Sequence, residues 1–274
     1  LLPQLRVLNL SENRIYGELP PTMSSLVHLE EALFAMNDIS GTIPDYLDTF
    51  TNLRKLSLLD NMFTGTLPDL PNLRRLTHLD LSNNMDLKGT IPESWGELEA
   101  LRGLFLSFND LEGTLPGRIG DMKNLRDLRL TSNYFEGTIP DSLRNCMHLK
   151  NLYLDDNELT GELDVLGNLV FLEGVFLAQN DFGGGLDMLV EKLDDLMILD
   201  ANANILTGTL PRSLFTKDRL KVLDLNDNSL QGVLPDFPDN DSLEYLALQD
   251  NQFSTDVPAS VSNLRALTHL DLSD

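Results

Sequence analysis

Residues 5–20 read Leu5-Arg6-Val7-Leu8-Asn9-Leu10-Ser11-Glu12-Asn13-Arg14-Ile15-Tyr16-Gly17-Glu18-Leu19-Pro20. Leu5, Leu8 and Leu10 lead to Asn13, and a hydrophobic residue, a glycine and a Leu-Pro pair follow. The phrase then returns. Asparagines at 13, 37, 61, 84, 109, 133, 157, 180, 204, 228 and 251 close segments of the same form, spaced 23 to 25 residues apart. Self-similarity at this period marks a solenoid, in which one short unit stacks on the next. Leu8-Asn9-Leu10 alternates in, out, in, the period of a strand with one buried face. Twelve such strands are visible, and coils stacked about 4.8 Å apart would give a parallel sheet on the order of 50 Å long. The inward asparagine is polar and needs hydrogen-bond partners, which backbone groups left open by the turn after each strand can supply.

Turns follow at Gly41-Thr42-Ile43-Pro44, Gly65-Thr66-Leu67-Pro68, Gly89-Thr90-Ile91-Pro92, Gly113-Thr114-Leu115-Pro116, Gly137-Thr138-Ile139-Pro140 and Gly208-Thr209-Leu210-Pro211. Glycine allows backbone angles that other residues resist, and proline fixes φ where the chain enters a short helical coil. Met23, Leu47, Trp95, Ile119, Leu143, Leu214 and Val261 then line the back of the core, where Cys146 also falls as a buried thiol. Taken together, the phrase Leu-x-x-Leu-x-Leu-x-x-Asn-x-Leu-x-Gly-x-Ile-Pro resembles the plant-type leucine-rich repeat and covers essentially the whole chain. The resemblance implies an α/β repeat solenoid, a curved superhelix with a concave parallel β-sheet of about twelve strands. It also implies an extracellular or cell-surface setting. The Gly-Thr-Ile/Leu-Pro spelling leans toward an algal or protist member. Three departures stand out: no paired-cysteine caps, Asp164 and Asp187 in place of proline in repeats seven and eight, and an extra residue around Met85-Asp86. Residues 1–274 are expected to form a single leucine-rich-repeat domain, a fragment of a longer protein with both terminal caps missing.

Composition removes several functions. The net charge is −23, with 19 acids and 12 bases in residues 1–137 and 24 acids and 8 bases in residues 138–274. Phosphate-backbone binding needs clustered lysine and arginine, so nucleic acid is not an expected partner. No stretch approaches the roughly 20 apolar residues of a membrane span. Four scattered histidines, His28, His78, His148 and His269, give no catalytic constellation, and the pair His78 and Asp80 reads as incidental. No catalytic residue, cofactor or metal site is assigned. Acids on adjacent strands could ligate a divalent cation, but no calcium-loop spacing supports that.

The outward strand residues are free to vary, and there the chain is distinctive. The central position runs Asn9, Leu33, Ser57, Asp80, Phe105, Arg129, Tyr153, Phe176, Asp200, Asp224, Ala247, Asp271. Phe105, Arg129, Tyr153 and Phe176 group together, with Phe108 further along the same strand and Arg102 and Arg126 one step before the strands. Aromatics and arginine are the types enriched at binding hot spots. Asp200, Asp224, Asp227, Asp250 and Asp271 form an acidic strip. The expected function is a non-enzymatic recognition module for a peptide, protein or glycan, anchored by Phe105, Phe108, Arg129, Tyr153 and Phe176, with Arg102 and Arg126 orienting anionic groups. One alternative is a structural element of a cell-surface, wall or filament assembly, joined through its flank or open ends. Another is the ectodomain of a receptor-like kinase. Ice binding fits poorly with so mixed a surface. Of two sequons, Asn9-Leu10-Ser11 and Asn240-Asp241-Ser242, the second lies in a polar turn and is the expected glycan acceptor.

Overall fold

The computed structural model describes every residue except Leu1, Pro3, Thr255 and Asp274. Its residues form two compact units: Leu1–Glu136 with Pro140–His148, and Gly137–Ile139 with Leu149–Asp274. Among the described residues the repeat generates twelve parallel strands in chain order, each three residues long. Six lie in unit one, from Val7–Asn9 to Asp127–Arg129, and six in unit two, from Asn151–Tyr153 to His269–Asp271.

Register within each unit follows from burial. The middle residue of a strand faces inward and stacks on its equivalent, as Leu56 on Leu79 and Leu79 on Leu104 in unit one, or Leu199 on Leu223 and Leu223 on Leu246 in unit two. A slip by one residue would turn every one of these side chains to solvent, so the leucine pattern holds the register. Leu47, Trp95, Ile119, Leu143 and Leu214 are fully buried behind the strands, as the sequence requires, while Met23 and Val261 in outer coils are only half-buried. Trp95 donates its indole N–H to the Pro68 carbonyl at 2.9 Å, which satisfies the one polar atom of the largest core side chain.

The asparagine column ties each coil to the one before it. Asn61 Nδ2 donates to Leu58 O at 3.1 Å in its own coil and to Phe34 O at 2.9 Å in the preceding coil, while its Oδ1 accepts the Ile39 N–H at 3.0 Å. Unit two repeats the pattern: Asn180 donates to Leu154 O and Leu177 O and accepts from Leu159 N–H. Just before each asparagine, a residue takes a left-handed backbone conformation, among them Met36, Asp60, Phe108 and Asp227. That turn ends the strand and aims the asparagine inward.

Beyond the column, short strands form a second parallel sheet. In unit one it includes Asp38–Thr42, Met62–Thr66, Asn84–Gly89 and Asn109–Thr114. The Gly-Thr spelling has a packing cause here. A β-carbon at Gly113 (φ +75°) would lie 2.8 Å from Thr90 Cγ2. The threonine methyl of one coil thus fills the space over the glycine of the next. The extra residue near Met85-Asp86 is absorbed as a bulge: Asn84 pairs with Asn109, but Lys88 pairs with Asp110. In unit two, where proline is replaced, Asp164–Asn168 still forms a 3-10 turn and Asp187–Val190 becomes a single α-turn.

Candidate functional site

The outward strand row of unit one places Asp80, Phe105 and Arg129 side by side in register. The Phe105 ring does not stand up from the sheet. A β-carbon at Gly103, two residues earlier on the same face, would come within 2.7 Å of Phe105 Cζ, so the ring lies back over the glycine. Arg129 sits over that ring, its Cζ 5.1 Å from the centroid, a cation–π arrangement. On the other side, burial lifts the Asp80 carboxyl above its usual range, opposed by hydrogen bonds from Ser82 and by the Arg129 charge. His78 occupies the row with Gly103 and Asp127. Burial, then Lys55 and Arg102, hold its imidazole below the ordinary value, against the pull of Asp127. Its Nδ1 lies 3.0 Å from Thr77 Oγ1 rather than in a catalytic array.

Arg102 and Arg126 are exposed and immediately precede the strands Gly103–Phe105 and Asp127–Arg129. Their backbones are joined, Arg126 N–H to Arg102 O at 2.8 Å. Among the described residues neither forms an ion pair, whereas Lys55, Arg74 and Arg118 in the same unit do. Unit one therefore brings together an arginine-capped ring and two uncompensated guanidinium groups. Phe108 lies outside the strand, at φ 60°, exposed beside the asparagine column. Read from the sequence alone, the strand's period extends too far, because a left-handed residue carries no signature when a phenylalanine occupies it.

In unit two, Tyr153 and Phe176 are in register and stack, with centroids 4.3 Å apart and planes 5° apart. Phe176 leans over Gly174 as Phe105 does over Gly103, a β-carbon there meeting Phe176 Cε2 at 3.0 Å. Gly-x-Phe within a strand is thus a readable signal for a ring laid flat, which the reading by central positions alone missed. The acidic strip divides in two. Asp200 and Asp224 share the strand row, which Ala247 interrupts before Asp271. Asp227 and Asp250 belong instead to the left-handed turns. Burial raises the Asp200 carboxyl, partly offset by Asn202, whereas hydrogen bonds from Ser273 lower that of Asp271. Among the described residues no group of three or more His, Cys, Asp or Glu is placed to hold a metal ion. Tyr245 and His269 make a second stack, 4.6 Å apart, also not apparent from the central positions.

The Asn240 expectation needs correction. Asn240 is 7% exposed. Its Nδ2, the atom a glycan would occupy, donates to Phe215 O at 2.9 Å, and its Oδ1 accepts from Ser242 and Leu243 N–H. The polar turn is folded inward, and the sequon is spent on structure. Asn9 is the exposed one of the two.

With this geometry, the repeats are plant-type leucine-rich repeats. A family model described as Leucine rich repeat matches residues 218–274, and a second, Leucine Rich Repeat, matches 4–26, 75–98 and 124–146. Among solved structures, the plant peptide hormone receptor RGFR1 in complex with RGF2 is 31% identical over 99% of this chain and 44% of its own, with a TM-score of 0.96. The Arabidopsis receptor kinase HAESA ectodomain, in complex with an N-terminally extended IDA peptide hormone, is 33% identical over 99% of this chain and 46% of its own, TM-score 0.90. A plant ice-binding protein is 26% identical over 90% of this chain and 81% of its own, TM-score 0.78. The chain spans under half the length of these two receptor structures. No curated protein matches it in sequence. Among the described residues no helix is long and apolar enough to cross a membrane.

Proposed function

We propose that this chain is a non-enzymatic, extracellular recognition module that binds a peptide on the outward face of its strands, as part of a receptor-like ectodomain. The observation that carries the reading is the Phe105–Arg129 pair with Arg102 and Arg126 beside it. The Phe105 ring and the Arg129 side chain over it form a preorganised contact at little entropic cost, since the ring is already fixed between Gly103 and Arg129. The two unpaired guanidinium groups select an anionic side chain or a terminal carboxylate, for which arginine supplies a planar fork of donors. Unit two offers a separate anchor, the Tyr153–Phe176 stack, bordered by the raised Asp200 carboxyl. The peptide hormones bound to the RGFR1 and HAESA structures support the choice of a peptide over a glycan.

The test uses a displayed library of random linear peptides. Selection on the wild-type chain should enrich sequences that combine apolar and acidic residues, and an R102A/R126A/F105S variant should bind them at least about tenfold more weakly. Enriched peptides that bind the variant equally well would overturn the assignment.

A further inference from the structure

We propose that unit one carries a second binding surface, on the rim beyond its asparagine column, and that this surface takes a basic amphipathic helix. Five consecutive coils each expose one large apolar side chain there. They are Met36 (48% exposed), Met62 (57%), Met85 (70%), Phe108 (53%) and Tyr134 (55%). Met36 and Phe108 directly precede the column asparagine, and Met62, Met85 and Tyr134 directly follow it. The scaffold does not demand apolar residues at these positions. In unit two the same places hold Glu158, Asp181, Ser229 and Gln252, and among them only Ile205 is large and apolar. Exposed apolar side chains on five consecutive coils of one unit mark an interaction site rather than a packing need.

Charge identifies the partner. The same five coils expose an acid within two residues of each apolar side chain: Asp38, Asp60, Asp86, Asp110 and Glu136. Among the described residues none of these acids forms an ion pair. Elsewhere in unit one several acids are paired. Glu30 lies between Arg6 (2.9 Å) and Arg54 (3.9 Å), Glu31 meets Lys55 at 3.1 Å, and Glu97 joins Arg74 (3.1 Å) and Arg118 (2.9 Å). Negative charge without an ion pair therefore lies beside each of these apolar side chains, with Lys88 the one base in register among them. A complementary partner alternates apolar anchors with lysine or arginine.

Spacing selects its conformation. Adjacent coils are about 4.8 Å apart, so five of them span about 19 Å. Apolar residues one turn apart in a helix, three or four positions along the chain, rise by about 4.5 to 6 Å, and four turns cover about 22 Å. A helix laid across the coils would meet one rim side chain per turn, whereas alternate residues of an extended strand are about 6.8 Å apart and fall out of step. The three methionines are flexible and polarizable, suited to fitting such a helix.

The experiment is calorimetry with a synthetic Leu–Lys peptide of about 16 residues patterned at helical spacing, and a second peptide of the same composition in scrambled order. The patterned peptide should bind the chain at least about tenfold more tightly than the scrambled one. An M62S/M85S/Y134S variant should lose that difference, and F105S/R129A should keep it. Equal binding of the two peptides, or loss of the difference in F105S/R129A instead, would overturn the proposal. Should the triple variant fail to fold, D38N/D110N/E136Q replaces it, and unchanged affinity there is equally fatal. Sedimentation with and without peptide covers the remaining occupant: dimers that M62S/M85S/Y134S dissolves would assign the rim to a second copy and refute the helix.

Discussion

A buried asparagine is costly unless every one of its polar groups finds a partner, and the column meets that condition coil by coil. Asn133 donates to Leu106 O and Leu130 O at 3.0 Å and to Thr131 O at 3.3 Å, and accepts the Leu111 N–H at 3.1 Å. Asn133→Ala would leave those backbone groups unsatisfied inside the protein. It should cost about 2–4 kcal/mol in chemical denaturation. Asn13 makes similar bonds to Leu10 and Ser11 carbonyls but is exposed, so water replaces them and Asn13→Ala should cost under about 1 kcal/mol. Equal losses would contradict the role assigned to burial. Cys146 makes the converse point. Burial, and secondarily Asp121, push its thiol up to about 12 from 9.0. The folded value exceeds the unfolded one, so this contribution is fully present below pH 9 and is lost as pH rises toward 12. Native protein should resist thiol labelling at pH 8 and react only on unfolding, and Cys146→Ala should flatten the alkaline loss of stability between pH 9 and 12.

At the scale of a strand, two elements repeat one device: Gly103-Leu104-Phe105 and Gly174-Val175-Phe176 each bury a leucine or valine and lay a ring over a glycine. Replacing Tyr153 and Phe176 together by serine removes a stacked pair worth about 0.5–1.5 kcal/mol from a surface, not a core. Melting should fall by only a few degrees, while binding of a selected peptide that uses unit two should weaken at least about tenfold. A collapse of stability instead would make the stack a structural brace. These elements also show what a sequence discloses. The leucine period, the asparagine spacing and the core place of Trp95 and Cys146 were legible, because each depends on a residue's own burial. The outward side chains were legible as a group but not in posture. Whether Phe105 stands or lies depends on Gly103 and on Arg129 in the next coil. Phe108 was misplaced because its left-handed backbone is set by the turn, and Asn240 because a polar turn can fold its amide inward to the Phe215 carbonyl.

Across the whole chain, a charge of −23 opposes compaction, and the inter-coil ion pairs offset only part of it. Raising sodium chloride from about 10 to 150 mM shortens the screening length to about 8 Å and should raise the melting temperature. A fall would mean that the ion-pair ladders dominate. The strand rows hold a cation–π pair and stacked aromatic pairs, the elements on which the proposed recognition rests. The central claim is that the outward strand row is where recognition occurs. Hydrogen–deuterium exchange of the intact chain, with and without a library-selected peptide, tests it most directly. Slowed exchange in Gly103–Phe105 and Asp127–Arg129 is the predicted result. Slowed exchange confined to the chain ends or to the turns behind the core, with those two strands unchanged, would contradict it.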